Sequence, residues 1–424
     1  MKRSKILAML SACTVLAASL TGCGSTQIAS TDLMAAGQII GNTAAEDIPL
    51  TSAFLKEQTD FALRLTQQEL ANSDGKNLLL SPYSVMQALA MTANGAGGDT
   101  RTEMEKTLSG EFSDYASDVR NKMLSAFRRS LSDRGNTKLT TANSIWFRDQ
   151  KNFTVEQDFL QTNADWFGAA AYRAAFDQST VADINAWVKD NTDGMIPELI
   201  KVIPPNAMMY LINAVAFDAK WETGYQKEQI DENGEFHAAD GSTQNAVMLH
   251  ANEHIFLAGD RVQGFIKPYQ DGYSFAALLP DEGVTPEEWL ADTDCSALQS
   301  ILWNADHCKV VTEMPEFTYD YDTELSQPLI AMGMGKAFSY EADFSGISKD
   351  MELMISAVLH KTHIELNADG TKAAAATAIE MRAKSAAPAQ ERVEYVTLDR
   401  PFVYMIIDNT TNLPIFIGIL NSVQ

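Results

Sequence analysis

The pentapeptide His250-Ala251-Asn252-Glu253-His254 is the first candidate for chemistry. Its spacing is that of an H-x-x-E-H metalloprotease, which needs both histidines on one face of a helix around a tetrahedral zinc. The flanks, 246–249 and 255–257, are short and apolar and read as strand. A metallohydrolase built on His250 and His254 is therefore the weaker alternative, and no metal ligand is assigned. Gly95-Ala96-Gly97-Gly98 is glycine-rich, but no lysine-serine pair follows to hold phosphate, so it reads as a helix stop. No Gly-x-Ser-x-Gly elbow is present to supply a nucleophile. His360 and His363 are three apart in a strand-like segment and so point to opposite faces. Nothing here implies a cofactor or a catalytic centre.

The stretch Gly370 to Ser385 is more informative. Counted by twos, Thr371, Ala373, Ala375, Thr377, Ile379 and Met381 form an uncharged row. Lys372, Glu380 and Arg382 fall in the other row, among Ala374, Ala376 and Ala378. That alternation suits a strand buried on one face, although the alanine run alone favours a helix. Strands prefer larger side chains; small ones make sense where a segment must slide between strands already packed. Gly370 supplies a hinge ahead of it. Loop, helix and inserted strand all remain open, with Arg382, Lys384 and Ser385 at the far end.

The elements that would position this stretch are those of a large soluble chain. It has 424 residues, 46% hydrophobic and 21% charged, with a formal net charge of −24, which disfavours nucleic acid and anionic lipid as partners. Lys2, Arg3 and Lys5 precede an apolar run from Ile6 to Leu20 that is too short to span a bilayer. It ends in Leu20-Thr21-Gly22-Cys23, which resembles a bacterial lipobox. Residues 1–22 are thus expected to be a lipoprotein signal peptide, with export and anchoring at the cell surface through lipidated Cys23. Residues 23–51, rich in Ser, Thr, Ala, Gly and Gln, read as a flexible tether. Residues 52–424 read as one domain, since no second linker or repeat interrupts them. Cys295 and Cys308 are an even pair in an exported chain, and a disulfide and two buried thiols are both open.

Helical spacing marks Phe54 to Glu69, a helix opening at Ser81-Pro82, and another at Asp183 to Val188. Strand patterns follow at 139–147, 208–217, 274–279, 310–317, 393–398, 402–407 and 415–419. Helices early and strands late predict an α+β architecture rather than alternating βαβ units.

One family resembles the whole domain. Ser81-Pro82-Tyr83-Ser84 leading to Gly95-Ala96-Gly97-Gly98, Thr141-Ala142-Asn143, and Ile184-Asn185-Ala186-Trp187 come in order. Ile212-Asn213-Ala214 through Lys220-Trp221, Met314-Pro315-Glu316-Phe317, Asp343-Phe344-Ser345-Gly346, Arg400-Pro401-Phe402 and Phe416-Ile417-Gly418 follow. Together with the hinge they are similar to the serpins. The resemblance implies a large central, mainly antiparallel β-sheet, further sheets, surrounding helices and an exposed reactive-centre loop. It implies a monomeric suicide-substrate inhibitor of serine endopeptidases, not an enzyme, with no cofactor and the trapped protease as partner. In that reading Gly370, Thr371 and Ala373, Ala374, Ala375, Ala376 and Thr377 are the hinge. Ser81, Ser84, Asn213, Trp221 and His360 belong to the sheet-opening region. Counting from the hinge threonine puts the reactive bond at Lys384-Ser385, with Met381, Arg382 and Arg392 competing. Lysine there implies a trypsin-like target, with elastase- or subtilisin-like enzymes also accepted. The sequence departs from the family pattern at Ala368 and Lys372, where acids are usual, and in the long segment after Ser385. A non-inhibitory binding protein on the same fold is the main alternative.

Overall fold

The computed structural model describes residues 28–41, 48–112, 116–132, 134–371 and 392–424. Cys23, Ala373 to Thr377, Met381, Arg382, Lys384 and Ser385 lie outside the described residues.

Two sheets organise the domain. The central one has seven strands: β1 (Thr31–Asp32), β2 (Lys138–Arg148), β3 (Ala170–Ala174), β4 (Met209–Lys220), β5 (Phe317–Glu324), β6 (Ala357–Asn367) and β7 (Gly370–Thr371). Their spatial order is β1-β3-β2-β4-β7-β6-β5. The second sheet has nine strands and includes Thr243–Gly259, Val262–Pro268, Tyr273–Pro280, Asp306–Pro315, Val393–Thr397, Phe402–Asp408 and Pro414–Leu420.

β4 is a nearly unbroken apolar run because both its faces are covered. Leu211, Val215, Phe217 and Ala219 enter the main core between the sheets. Tyr210, Ile212 and Ala214 instead pack beneath the helix Gln178–Asn191, against Ile184, Trp187 and Val188. The helix Pro82–Ala93 is buried on every side, with Pro82 at its first turn. The helix Ser52–Leu70 starts where Thr51 Oγ1 accepts the Phe54 N–H at 3.1 Å.

Three readings of the sequence change here. The pattern at 310–317 breaks at Glu316 into two strands, Asp306–Pro315 in the nine-stranded sheet and β5 in the central one. The helix expected from Asp183 begins earlier, at Gln178, capped by Asp177. Asp183 instead holds a distant part of the chain. Its carboxylate accepts the backbone N–H of Ala29 (3.0 Å) and Ser30 (2.7 Å) and the Ser30 hydroxyl (2.5 Å). Held this way, β1 pairs antiparallel with Arg173 and Tyr172 at the sheet edge. Residues 28–41, inside the span read as a tether, are therefore docked on the domain rather than free of it. Cys295 and Cys308 are both free thiols, one buried and one half-buried.

Asp183→Ala should release this segment. Losing charge-assisted hydrogen bonds of this kind costs about 2 kcal/mol, and limited proteolysis with mass analysis should find new cuts between residues 28 and 41. An unchanged digest would show that β1 is held by its own pairing.

Candidate functional site: a forked sheet

β4 and β6 run parallel. They are hydrogen-bonded directly over six residue pairs, from Tyr210↔Ala357 to Val215↔Thr362. Beyond that the strands part, and β7 occupies the gap. Gly370 lies opposite Lys220 and Asn367, and Thr371 opposite Ala219 and Leu366, antiparallel to both neighbours. Among the described residues the sheet is a fork, closed at one end and entered at the other by Gly370 and Thr371.

Each of those two is there for a steric or polar reason. A Cβ on Gly370 would come within 2.2 Å of the Ala219 carbonyl oxygen, and its φ is +150°, so only glycine fits. Thr371 is buried, and its hydroxyl meets the Tyr269 hydroxyl at 2.6 Å. Burial pushes the Tyr269 phenol up from its ordinary pKa, so it stays a neutral hydrogen-bonding group. Trp221 stacks on Tyr269 with ring centroids 4.2 Å apart and planes 7° from parallel.

The turn before β7 is held by backbone contacts. The Trp221 indole N–H donates to the Asn367 carbonyl (2.9 Å) and the Trp221 backbone N–H to that of Asp369 (3.0 Å). Tyr225 N–H donates to the Ala368 carbonyl at 3.2 Å, and the Ala368 N–H donates to Glu316 Oε1 at 2.8 Å. Burial raises the Glu316 carboxyl above its ordinary value, opposed by that N–H and reinforced by Asp369 and Glu365. Lys267 lies over the Tyr225 ring (4.4 Å) and the Trp221 ring (5.2 Å), paired with Glu253 at 2.8 Å in the interior.

A second polar group marks the closed arm of the fork. Ser81 N–H donates to His360 Nε2 at 3.0 Å, while His360 Nδ1 faces Asn213 Oδ1. The Asn213 amide donates to Ser84 Oγ and to Asn143 Oδ1, and Ser81 Oγ donates to the Ile415 carbonyl at 2.9 Å. An Nε2 that accepts and an Nδ1 that faces an acceptor define the neutral Nδ1–H tautomer. Burial agrees, holding the imidazole down to about 3. Every member is satisfied in a fully buried setting.

The expected residues thus fall into two groups. Ser81, Ser84, Asn213 and His360 share one network, while Trp221 stands at the open end with Gly370 and Thr371. Asn143 and Glu316 stood in the resemblance motifs without a role, and Tyr269 was not singled out; one tyrosine among many carries no mark until pairing brings it to its partner. His250, Glu253 and His254 lie on the strand Thr243–Gly259, where Glu253 points away from both histidines into its pair with Lys267. His363 faces outward to Asp320 at 2.6 Å. Among the described residues no cluster is suited to hold a metal.

The family model for serpins, serine protease inhibitors, matches residues 56–423. The chain belongs to the serpin family. An uncharacterised serpin-like protein of Thermococcus kodakarensis is 30% identical over 361 residues, covering 83% of this chain and 82% of its own. Iripin-3 of Ixodes ricinus is 29% identical, covering 89% and 96%. Among solved structures, the thermophilic serpin tengpin in its native state superposes with a TM-score of 0.85 at 40% identity, over 93% of this serpin and 99% of tengpin. Tengpin in its latent state superposes less well, with a TM-score of 0.76 at 38% identity, over 89% and 100%.

The neutral histidine makes this serpin acid-sensitive. The unfolded chain takes up a proton on His360 near pH 6.5 that the folded chain refuses until about 3. The stability it confers is complete above pH 6.5 and falls by up to about 1.4 kcal/mol per pH unit below it. The urea midpoint should drop between pH 7.5 and 5.5, and His360→Gln should reduce that drop; an undiminished drop in the variant would assign it to other groups.

Proposed function

We propose that this serpin is a single-use inhibitor of serine endopeptidases, which it traps by inserting its cleaved loop, residues 371–384, into the central sheet. The observation that carries the reading is that β7, whose described residues are Gly370 and Thr371, enters between two walls that are already antiparallel to it. Continued in the same register, Ala373 falls between Phe217 and Ile364, and Ala375 between Val215 and Thr362. Ile379 falls between Leu211 and Val358, so the uncharged row meets core residues throughout. Thr377 arrives between Asn213 and His360, where its hydroxyl joins the buried network. Lys372 arrives on the other face between Asp218 and Glu365, an opposite-charge match across both strands. Two of the departures from the family pattern are thereby absorbed: Glu316 holds Ala368 by its backbone, and Lys372 meets acids.

In this reading the target's serine hydroxyl attacks the Lys384 carbonyl. An ester to Lys384 forms, the Lys384–Ser385 bond breaks, and the new Ser385 amine takes the proton. Insertion must then outrun hydrolysis. The native form is held by a kinetic barrier, not by being the lowest state. Lys384 favours a trypsin-like enzyme with a carboxylate in its specificity pocket; elastase- and subtilisin-like enzymes are secondary targets. The protein acts as a monomer at the bacterial surface, tethered through Cys23.

Mixed with trypsin, the protein should give a complex that survives denaturing electrophoresis, with a released peptide that begins at Ser385 by mass. Lys384→Ala should abolish capture of trypsin. Ala375→Arg, which places a bulky charge in the inward row, should turn the inhibitor into a substrate. Simple nicking of the wild type by trypsin, elastase and subtilisin alike would sink the proposal. Separately, Cys23→Ser should move the protein expressed in a bacterial host from the detergent phase to the aqueous phase on phase separation; unchanged partitioning would remove the anchor.

A further inference from the structure

At the far side of the central sheet, β5 pairs with β6 alone. Along its other edge lies a cleft of about 710 Å³ whose lining includes Glu69, Lys76, Asp240, Asp320, Asp322 and Asn421. The space is of the size that takes a small ligand, and acids outnumber bases in its walls. Exposed carboxylates at a sheet edge also keep other strands from pairing, so the acids alone do not define a ligand. Two buried groups do.

The first is Asn421, only 2% exposed, which forms part of the wall of this cleft and of its neighbour beside Arg400. Its Nδ2 donates to the Lys76 carbonyl at 3.0 Å and to Glu287 Oε1 at 2.7 Å. Both partners only accept, so the amide cannot be turned round. Its Oδ1 is left buried without a donor, an acceptor whose lost hydration nothing among the described residues offsets.

The second is Glu69, fully buried in the last turn of the helix Ser52–Leu70, where the helix dipole already disfavours a negative charge. Its carboxylate accepts from the Tyr321 phenol (2.6 Å), the Thr323 hydroxyl (2.5 Å) and the Asn72 amide (3.0 Å). Burial and then the bond to Glu69 push the Tyr321 phenol up, so it stays a neutral donor. All three donors are neutral, and among the described residues neither Lys76 nor any other cation pairs with Glu69. A carboxylate withdrawn from water in this way calls for a positive charge nearby.

We propose that this cleft binds an organic cation that carries N–H donors, an alkylammonium or alkylguanidinium. Its charge is set against Glu69 and the acids of the rim, and one N–H supplies the donor that Asn421 Oδ1 lacks. Among the described residues no cluster is suited to a metal ion; acceptors spread along a wall suit a longer molecule with several donors. Such a cation arrives either free, as a polyamine, or as the basic side chain of a peptide. The site is separate from the fork and does not rest on the inhibitory reading.

Isothermal titration calorimetry on the full chain tests it with two probes, spermidine and acetyl-Gly-Arg-Gly-amide. The same peptide with citrulline for arginine is the uncharged match. One-to-one binding of at least one cation should saturate below about 10 mM, and the tighter of the two names the source. The citrulline peptide should not bind. Glu69→Gln, which keeps an acceptor for Tyr321 and Thr323, should weaken binding about tenfold. Asp322→Asn on the exposed rim should weaken it about twofold and leave the melting midpoint unchanged, so the test stands even where Glu69→Gln fails to fold. Salt at 1 M should weaken binding further. No saturable binding of either cation, equal binding of the citrulline peptide, or binding unchanged in every folded variant would overturn the site.

Discussion

The whole structure turns on two parallel strands that agree for six residue pairs and then separate. Parallel neighbours in one sheet normally share hydrogen bonds along their full length. Here β4 and β6 diverge, and the third strand between them is described at Gly370 and Thr371. A gap of that kind is tolerable only if something prevents both its closure and its filling. Gly370 supplies the first condition, because its backbone lies against Ala219 where any side chain would push the strands apart. The clamped turn before it supplies the second, since residues 367–369 are fixed by Trp221, Tyr225 and Glu316 at the mouth.

The closed arm must meet a different demand. Strands that are to separate and admit a third cannot be locked by interdigitated apolar side chains, because opening would leave a void on each side. A polar network can exchange partners instead, provided that no member carries a net charge that the interior would penalise. The neutral His360, bonded to Ser81 through one nitrogen and to Asn213 through the other, meets that requirement. A protonated imidazole would add a buried cation and lose the Ser81 bond together. The same residue therefore keeps the closed arm uncharged, as the proposed opening of the sheet requires, and makes its stability depend on pH.

Much of this was legible in the sequence, for physical reasons that differ by element. The two-residue alternation of charge from Thr371 to Arg382 meets the structure at Thr371, which lies buried in β7, while the rest of it lies outside the described residues. The helix Ser52–Leu70 and the strands near the C-terminus showed because burial on one side filters side chains by position. Glu316 did not: an apolar run continuing through it reads as one strand, and only the three-dimensional split between sheets shows that it divides two. Asp183 misled in the opposite sense. An acid near a helix start looks like a cap, yet its role depends on residues some 150 positions earlier. Local patterns report burial well, whereas partners brought together by pairing leave no local trace. That is why Tyr269, and the roles of Asn143 and Glu316, emerged only with the fold.

The two departures from the family pattern then bear on how the fork is controlled. Position 368, where the resemblance leads one to expect an acid, carries no carboxylate. Here the side chain is a methyl group, and the constraint has moved onto the backbone amide of Ala368, gripped by Glu316 from the neighbouring strand. Glu316 in turn is flanked by Glu365 and Asp369 in a partly buried setting, which raises its own pKa. Like charges crowded at the mouth make the resting arrangement less comfortable than its hydrogen bonds alone suggest. A cation delivered between Asp218 and Glu365, on the same side of the sheet as Glu365, would relieve that crowding. Lys372 is the next residue of the chain after Thr371. Under the insertion proposed above, its charge would favour the first step, where it would meet the acids of the mouth.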